Sequence, residues 1–251
     1  MLLSIRPKLI CAGLGLSLAS IAFPGHAETH HRAERTVHSA QGLSLRSATA
    51  IVQDAETGEI LYGKNASTVT PIASITKLMT AMVVLDAGLD PNQVITISTA
   101  DMDSLRGTHS RLKPGANLSR DELLRLALMS SENRAAAALA RTTYPDGIGA
   151  FLRAMNHKAQ MLGMNDTHFD DATGLSSANV ASAEDLVKMV RAAHRYDLIR
   201  QYTTTSGHEV QVAGRSLAYR NTNRLVSNDC IMSVPARTKS RCPKPESEDG
   251  T

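Results

Sequence analysis

The segment from Pro71 to Gly88 limits most strongly what this chain can become. Within it Leu78, Met79, Ala81, Met82, Val83, Val84 and Leu85 fall on nearly every face of a helix. A helix that is apolar all round has no side to turn to water, so other elements must wrap it. Gly88 suits the left-handed position just past a helix end. The fold is therefore expected to be built around this segment.

The flanking sequence supplies the wrapping. Ala48 to Gln53 and Glu59 to Tyr62 are short β-rich runs on either side of Asp54-Ala55-Glu56-Thr57-Gly58, the pattern of a hairpin. Ser119-Arg120-Asp121-Glu122 is a capping box that opens a helix to Met129. Ser130 to Asn133 interrupts the apolar pattern, and Ala135 to Arg141 resumes it. From Asp146, the residues Ile148, Phe151, Leu152, Met155 and Leu162 mark an amphipathic helix with Gly163 beyond its end. Ser182 caps another, with Leu186, Val187 and Val190 as its inward side. His208 to Val212 and Ser216 to Tyr219, split by Gly214-Arg215, predict a second hairpin. Strands near both ends with helices between predict a sheet closed by the two termini.

The N-terminus has a different character. Arg6 and Lys8 precede an apolar run from Leu9 to Phe23, and Gly25-His26-Ala27 is a small-x-small cleavage site. Residues 1–27 read as a secretory signal peptide, since about 15 apolar residues fall short of the ~20 needed to span a bilayer. No stable membrane span is expected. Residues 28–42 are polar and carry His30, His31 and His38; a solvated linker is favoured over a metal site. The expected location is the periplasm.

Composition excludes several function classes. The net charge of +3 falls to +1, 25 basic against 24 acidic residues, once the signal peptide is removed. That is too little for a nucleic-acid groove. Three Phe, five Tyr and no Trp leave little for base-stacking platforms or membrane-interface belts. Beyond the leader only Cys230 and Cys242 remain; a disulfide between them is permitted in an oxidising compartment, but nothing upstream is stapled.

Two Ser-x-x-Lys tetrads carry the candidate chemistry: Ser74-Ile75-Thr76-Lys77 and Ser110-Arg111-Leu112-Lys113. About one such tetrad is expected by chance in a chain this long, so context has to separate them. Ser74 opens the buried helix, where positions i and i+3 share a face and set the hydroxyl beside the Lys77 amine. Desolvation there should lower the lysine pKa and let a neutral amine take the serine proton. Lys113 precedes the turn pair Pro114-Gly115 and is expected in solvent. The competing structural reading has Ser74 capping a core helix while Lys77 snorkels to the surface.

Ser-x-Asn also occurs twice. Ser131-Glu132-Asn133 lies in the break between two apolar helices, where side chains can enter a cleft; Asn133 as a plain helix cap fits the local pattern equally well. Ser177-Ala178-Asn179 follows Thr173-Gly174-Leu175 in a polar loop and reads as structural.

Together these segments resemble the low-molecular-mass penicillin-binding serine peptidases, the D-alanyl-D-alanine carboxypeptidase and endopeptidase family. Pro71 to Ala81 is similar to that family's nucleophile segment, and Leu128 to Ala136 to its second motif in the endopeptidase branch. Phe169 to Leu175 and Asn221-Thr222-Asn223-Arg224-Leu225 are further family-like stretches, and the register holds from about Leu43 to about Asp229.

The resemblance implies an α+β fold of the β-lactamase/transpeptidase type: an antiparallel sheet flanked by helices, with a helical insertion carrying Ser131 and Asn133. It implies that Ser74 attacks the peptide carbonyl, Lys77 is the general base, Ser131 relays a proton to the leaving amine, and Asn133 holds the substrate amide. The Ser74 backbone N–H would supply half of an oxyanion hole. No metal or cofactor is implied. The implied partners are peptidoglycan stem peptides or cross-links, with β-lactams as covalent inhibitors.

One family element is missing. No Lys-Thr-Gly follows Asn221 to Leu225, and Arg237-Thr238-Lys239 ends in lysine where glycine is wanted. Residues 230–251 show no strand pattern and read as a disordered tail. The expectation is a disrupted reading frame or truncation after Asp229, with terminal strands missing from domain 43–229. The other frames of the coding DNA past codon 229 test this. A chain without that element is expected to be weakly active or inactive. A catalytically silent wall-binding protein is therefore an alternative, and a serine β-lactamase a lesser one, since no segment is similar to that family's deacylating glutamate element.

Overall fold

Residues 45–227 are described by a computed structural model, and the predicted buried helix is the element around which they pack. The leader, the polar linker, the tail and the place where Lys-Thr-Gly would fall all lie outside the described residues.

Strands β1 (Ala50–Gln53) and β2 (Ile60–Lys64) form the first predicted hairpin, antiparallel with Ile51 opposite Gly63. Asp54 shapes its turn by accepting from the Glu56 and Thr57 N–H groups at 2.9 and 2.7 Å. Strand β3 (Thr70–Pro71) leads into helix α1 (Thr76–Asp86) through a 3₁₀ turn, Ala73–Ile75. Pro71 therefore belongs to a strand, and the α-helix begins later than the apolar pattern alone suggests. Within α1, Met79, Ala81, Met82, Val83 and Val84 are at most 3% exposed, so the all-round burial is realised.

Strands β4 (Val94–Thr96) and β5 (Asn117–Ser119) pair ahead of α2 (Arg120–Met129). The capping box forms as predicted: Glu122 N–H donates to Ser119 Oγ at 3.1 Å, and Ser119 N–H to Glu122 Oε2 at 2.8 Å. Helix α3 (Asn133–Thr143) follows, then α4 (Gly147–Met161). Leu123, Leu126, Met129, Leu139, Phe151 and Met155 are fully enclosed with Met79 and Met82. Ile148, expected to face inward on α4, is instead 47% exposed, because this end of the helix borders a cleft.

Strand β6 (Val180–Ala181) pairs with β3 and precedes α5 (Ala183–Ala193), then α6 (Asp197–Thr204). The inward side of α5 is shifted from the predicted one, although Leu186 still packs against the core. Ala183, Asp185, Met189 and Ala193 are buried, whereas Val190 is exposed. The helix is rotated because the Asp185 carboxylate is drawn inward, accepting from Asp166 N–H at 2.8 Å and Thr167 Oγ1 at 2.9 Å.

Strands β7 (Gly207–Val212) and β8 (Arg215–Arg220) form the second hairpin. Its turn residues Ala213 and Gly214 have φ of +49° and +75°, as a two-residue turn matched to strand twist requires. The α+β class and antiparallel pairing hold, but no continuous sheet joins the strands among the described residues. The strands pair as four separate two-stranded sheets. The hairpins are seated on different elements, β1 against α5 and β7 against α2 and β5, and share no ladder. Among the described residues no helix is long and apolar enough to cross a membrane.

Candidate active site

Ser74 occupies the 3₁₀ turn before α1, and the residue ahead of it is held in an unusual conformation. Ala73 has φ of +46°, which costs a residue with a side chain about 1–2 kcal/mol. Such strain persists where neighbouring structure over-determines the backbone. That neighbour is Gly174, at φ +82°. A Cβ on Gly174 would stand 2.0 Å from the Ala73 carbonyl oxygen and 2.9 Å from Ser74 N. The 171–175 loop thus lies directly against the peptide that carries Ser74, an approach only glycine allows.

Lys77, in the first turn of α1, is 2% exposed. Its Nζ lies 3.2 Å from Ser74 Oγ and donates to Asn133 Oδ1 and to the Thr173 carbonyl, each at 2.7 Å. Burial lowers its pKa from 10.5 to about 8, against the opposing charges of Asp171 and Glu132. About one molecule in ten is then neutral at pH 7. A neutral amine has two N–H bonds and one lone pair. Two carbonyl oxygens take the two hydrogens, which leaves the lone pair for the Ser74 hydroxyl. Snorkelling is excluded by this burial, and the pair has the geometry of a nucleophile and its base.

Asn133 is the first residue of α3 but does not cap it. Glu132 does, accepting from Arg134 N–H at 3.2 Å. The Asn133 amide is therefore available to the site, and its Nδ2 donates to Thr108 Oγ1 at 3.1 Å. Ser131 is half-buried on the α2–α3 loop at φ +57°, and its hydroxyl makes no hydrogen bond to Ser74 or Lys77. The structure thus joins Ser74, Lys77 and Asn133 directly and places Ser131 on the adjoining loop. Lys113 of the other tetrad is exposed, as expected.

Asn179 is structural, as its pattern suggested, but it is wholly buried and not in a solvated loop. Its Nδ2 donates to Thr76 Oγ1 at 2.9 Å and to Asp171 Oδ1 at 2.7 Å. Its Oδ1 accepts from the Asp170 and Asp171 N–H groups at 2.8 and 2.9 Å. Asp171 in turn accepts from Gly174 N–H at 2.8 Å. These bonds tie the 170–175 loop to the start of α1 and aim the Thr173 carbonyl at Lys77.

Thr173, Gly174, Thr108 and the supporting role of Asn179 are absent from the sequence-derived site. Asp171-Ala172-Thr173-Gly174 was the available signal, because an Asp three residues before a Gly marks a tight turn. A cleft of about 270 Å³ opens beside Asn133 and Thr173, walled by Met102, Leu105, Ile148 and Leu175 with Asp103 and Arg141.

Comparison with known proteins identifies the family. A family profile described as D-alanyl-D-alanine carboxypeptidase matches residues 34–238. A D-alanyl-D-alanine endopeptidase of Pseudomonas aeruginosa is 49% identical over 188 residues, covering 73% of this chain and 60% of that protein. An Escherichia coli protein of the same name is 45% identical over 187 residues, covering 74% and 60%. The chain thus spans about 60% of the length of these curated relatives. The crystal structure of the Streptomyces K15 DD-transpeptidase superposes with a TM-score of 0.68 at 29% identity, covering 74% of this chain and 77% of the other. With Ser74 and Lys77 paired at the mouth of the central helix, the chain belongs to the D-alanyl-D-alanine carboxypeptidase family of serine peptidases.

Proposed function

We propose that this protein is a serine peptidase of peptidoglycan, cleaving at D-alanyl-D-alanine stem peptides or at cross-links, through an acyl-enzyme on Ser74. The carrying observation is the buried Lys77 amine, set between Ser74 Oγ, Asn133 Oδ1 and the Thr173 carbonyl. Neutral Lys77 takes the Ser74 proton as Oγ attacks the carbonyl carbon. The C–N bond breaks, and Ser131 relays a proton to the departing amine. Water then hydrolyses the ester and frees the serine. The second N–H of Asn133 Nδ2, beyond the one given to Thr108, holds the substrate carbonyl, and the Ser74 N–H stabilises the oxyanion. No metal or cofactor enters. β-Lactams acylate the same serine. The chain acts in the periplasm after loss of residues 1–27.

The second oxyanion donor belongs to the Lys-Thr-Gly element that this sequence lacks after Asn221 to Leu225. Losing one such donor typically costs ~10²–10³ in kcat. Acylation is therefore slow here, and a catalytically silent peptidoglycan-binding role is the second reading. Labelling with a fluorescent penicillin separates them. Slow, incomplete labelling that disappears in S74A is the expected result. Rapid stoichiometric labelling refutes the impaired reading, and labelling that persists in S74A refutes the assignment of the serine. The Ser130-Ser131-Glu132-Asn133 segment and the endopeptidase relatives favour cross-link cleavage. Digestion of cross-linked muropeptide dimers should give monomers without release of free D-alanine.

A further inference from the structure

The serine–lysine geometry depends on which way the Asn133 amide points. With Oδ1 toward Lys77, the amine donates to it and keeps its lone pair for Ser74. With the NH₂ group toward Lys77, the lone pair of a neutral lysine is drawn to Asn133 and away from the nucleophile. Oxygen and nitrogen of an amide have nearly the same shape, so the hydrogen-bond partners decide.

The 103–108 loop makes that decision. Asp103 Oδ1 accepts from the N–H groups of Leu105 at 2.8 Å and Arg106 at 2.9 Å. Its Oδ2 accepts from Thr108 N–H and from Thr108 Oγ1, both at 2.7 Å. Burial opposes ionisation of this carboxyl, but the bonds from Arg106, Thr108 and Leu105 outweigh it and hold the pKa well below the usual range. An ionised carboxylate can only accept. The one hydroxyl hydrogen of Thr108 is therefore committed to Asp103, and Thr108 Oγ1 can only accept from its other neighbour. That neighbour is Asn133 Nδ2, at 3.1 Å. Oδ1 is thereby turned toward Lys77, at 2.7 Å.

We propose that Thr108 is a positioning residue, made a one-way acceptor by Asp103 so that it turns the Asn133 oxygen to Lys77 and leaves the lysine lone pair facing Ser74. This deepens the serine-peptidase reading and rests on it for its catalytic meaning. The hydrogen count forces each link: carboxylate, hydroxyl, amide, amine, nucleophile. The charged groups facing Lys77 are Glu132, from the α2–α3 loop, and Asp171, from the 170–175 loop. Neither is altered by substitution at Thr108.

The test is NMR titration of the Lys77 side chain in the wild type, T108V and T108S, with thermal unfolding to confirm that each variant folds. Valine keeps the shape and removes the hydroxyl, so the amide is free to turn. Losing the acceptor that favours the ammonium form should lower the Lys77 pKa from about 8 by about one. T108S should restore it. Where T108V does not fold, D103N serves: its amide can donate to Thr108 Oγ1, which frees the hydroxyl hydrogen and should shift Lys77 in the same direction. The initial rate of labelling by fluorescent penicillin should fall about tenfold in T108V and recover in T108S. An unchanged Lys77 titration in folded T108V overturns the proposal, as does a T108S variant that behaves like T108V. Labelling indifferent to S74A would instead overturn the peptidase reading, while the Lys77 titration would still decide the orientation of the amide.

Discussion

Replacing Gly174 by alanine tests whether the loop beneath Ser74 is as tightly seated as the geometry requires. The added Cβ would meet the Ala73 carbonyl oxygen at 2.0 Å and the Ala73 carbonyl carbon at 2.4 Å. Ordinary contact begins near 3.4 Å, so one backbone segment must move by more than 1 Å. Both partners are main chain, and no flexible side chain can absorb the shift. At φ +82° the alanine also pays for a left-handed conformation, about 1–2 kcal/mol. Overpacking adds ~1–3 kcal/mol. A total near 3 kcal/mol corresponds to a drop in Tm of about 6–12 °C for a domain of this size. Ser74 moves with Ala73, and a displacement of about 1 Å can cost ~10²-fold in rate. Urea unfolding and the initial rate of penicillin labelling read the two effects. A G174A protein within about 1 kcal/mol of wild type, labelled at the wild-type rate, would refute the close approach.

Further consequences follow from neighbouring residues. Because burial lowers the Lys77 pKa to about 8, its base form predominates above that pH; the labelling rate should rise with pH to a midpoint near 8, and a midpoint near 10 would contradict a desolvated lysine. N179A should destabilise the fold by about 3 kcal/mol, since it removes the wholly buried amide that accepts from the part-buried Asp170 and Asp171 N–H groups; a loss below about 1 kcal/mol in urea unfolding would show that the loop is held otherwise. R141A removes the partner of Asp101, 2.8 Å away and buried, and should cost about 1–3 kcal/mol given the partial exposure of the arginine; no change in Tm would refute this. S119A opens the α2 capping box and should cost about 1 kcal/mol, measurable by the same unfolding experiment.

Much of this was legible locally. Capping boxes, turn glycines and apolar periodicity act over three or four residues, so the Ser119 cap, the Gly88 helix end and both hairpins followed from short patterns. The rotation of α5 did not, because Asp185 turns inward only when Asp166 and Thr167 offer their donors to it. The separation of the two hairpins was equally hidden. Strand character is a local property, whereas pairing depends on which helix each hairpin is seated against.

By itself, then, the sequence determined a buried helix with Ser74 and Lys77 at its mouth, a second cluster at Ser131 to Asn133 in a helix break, and the family to which both belong. Only the tertiary structure decided what Lys77 touches. Its partners lie 56 and 96 residues away, and one of them is a backbone carbonyl, which every residue type carries and none advertises. Gly174 acquires its meaning in the same way, from the Ala73 peptide packed against it across the fold.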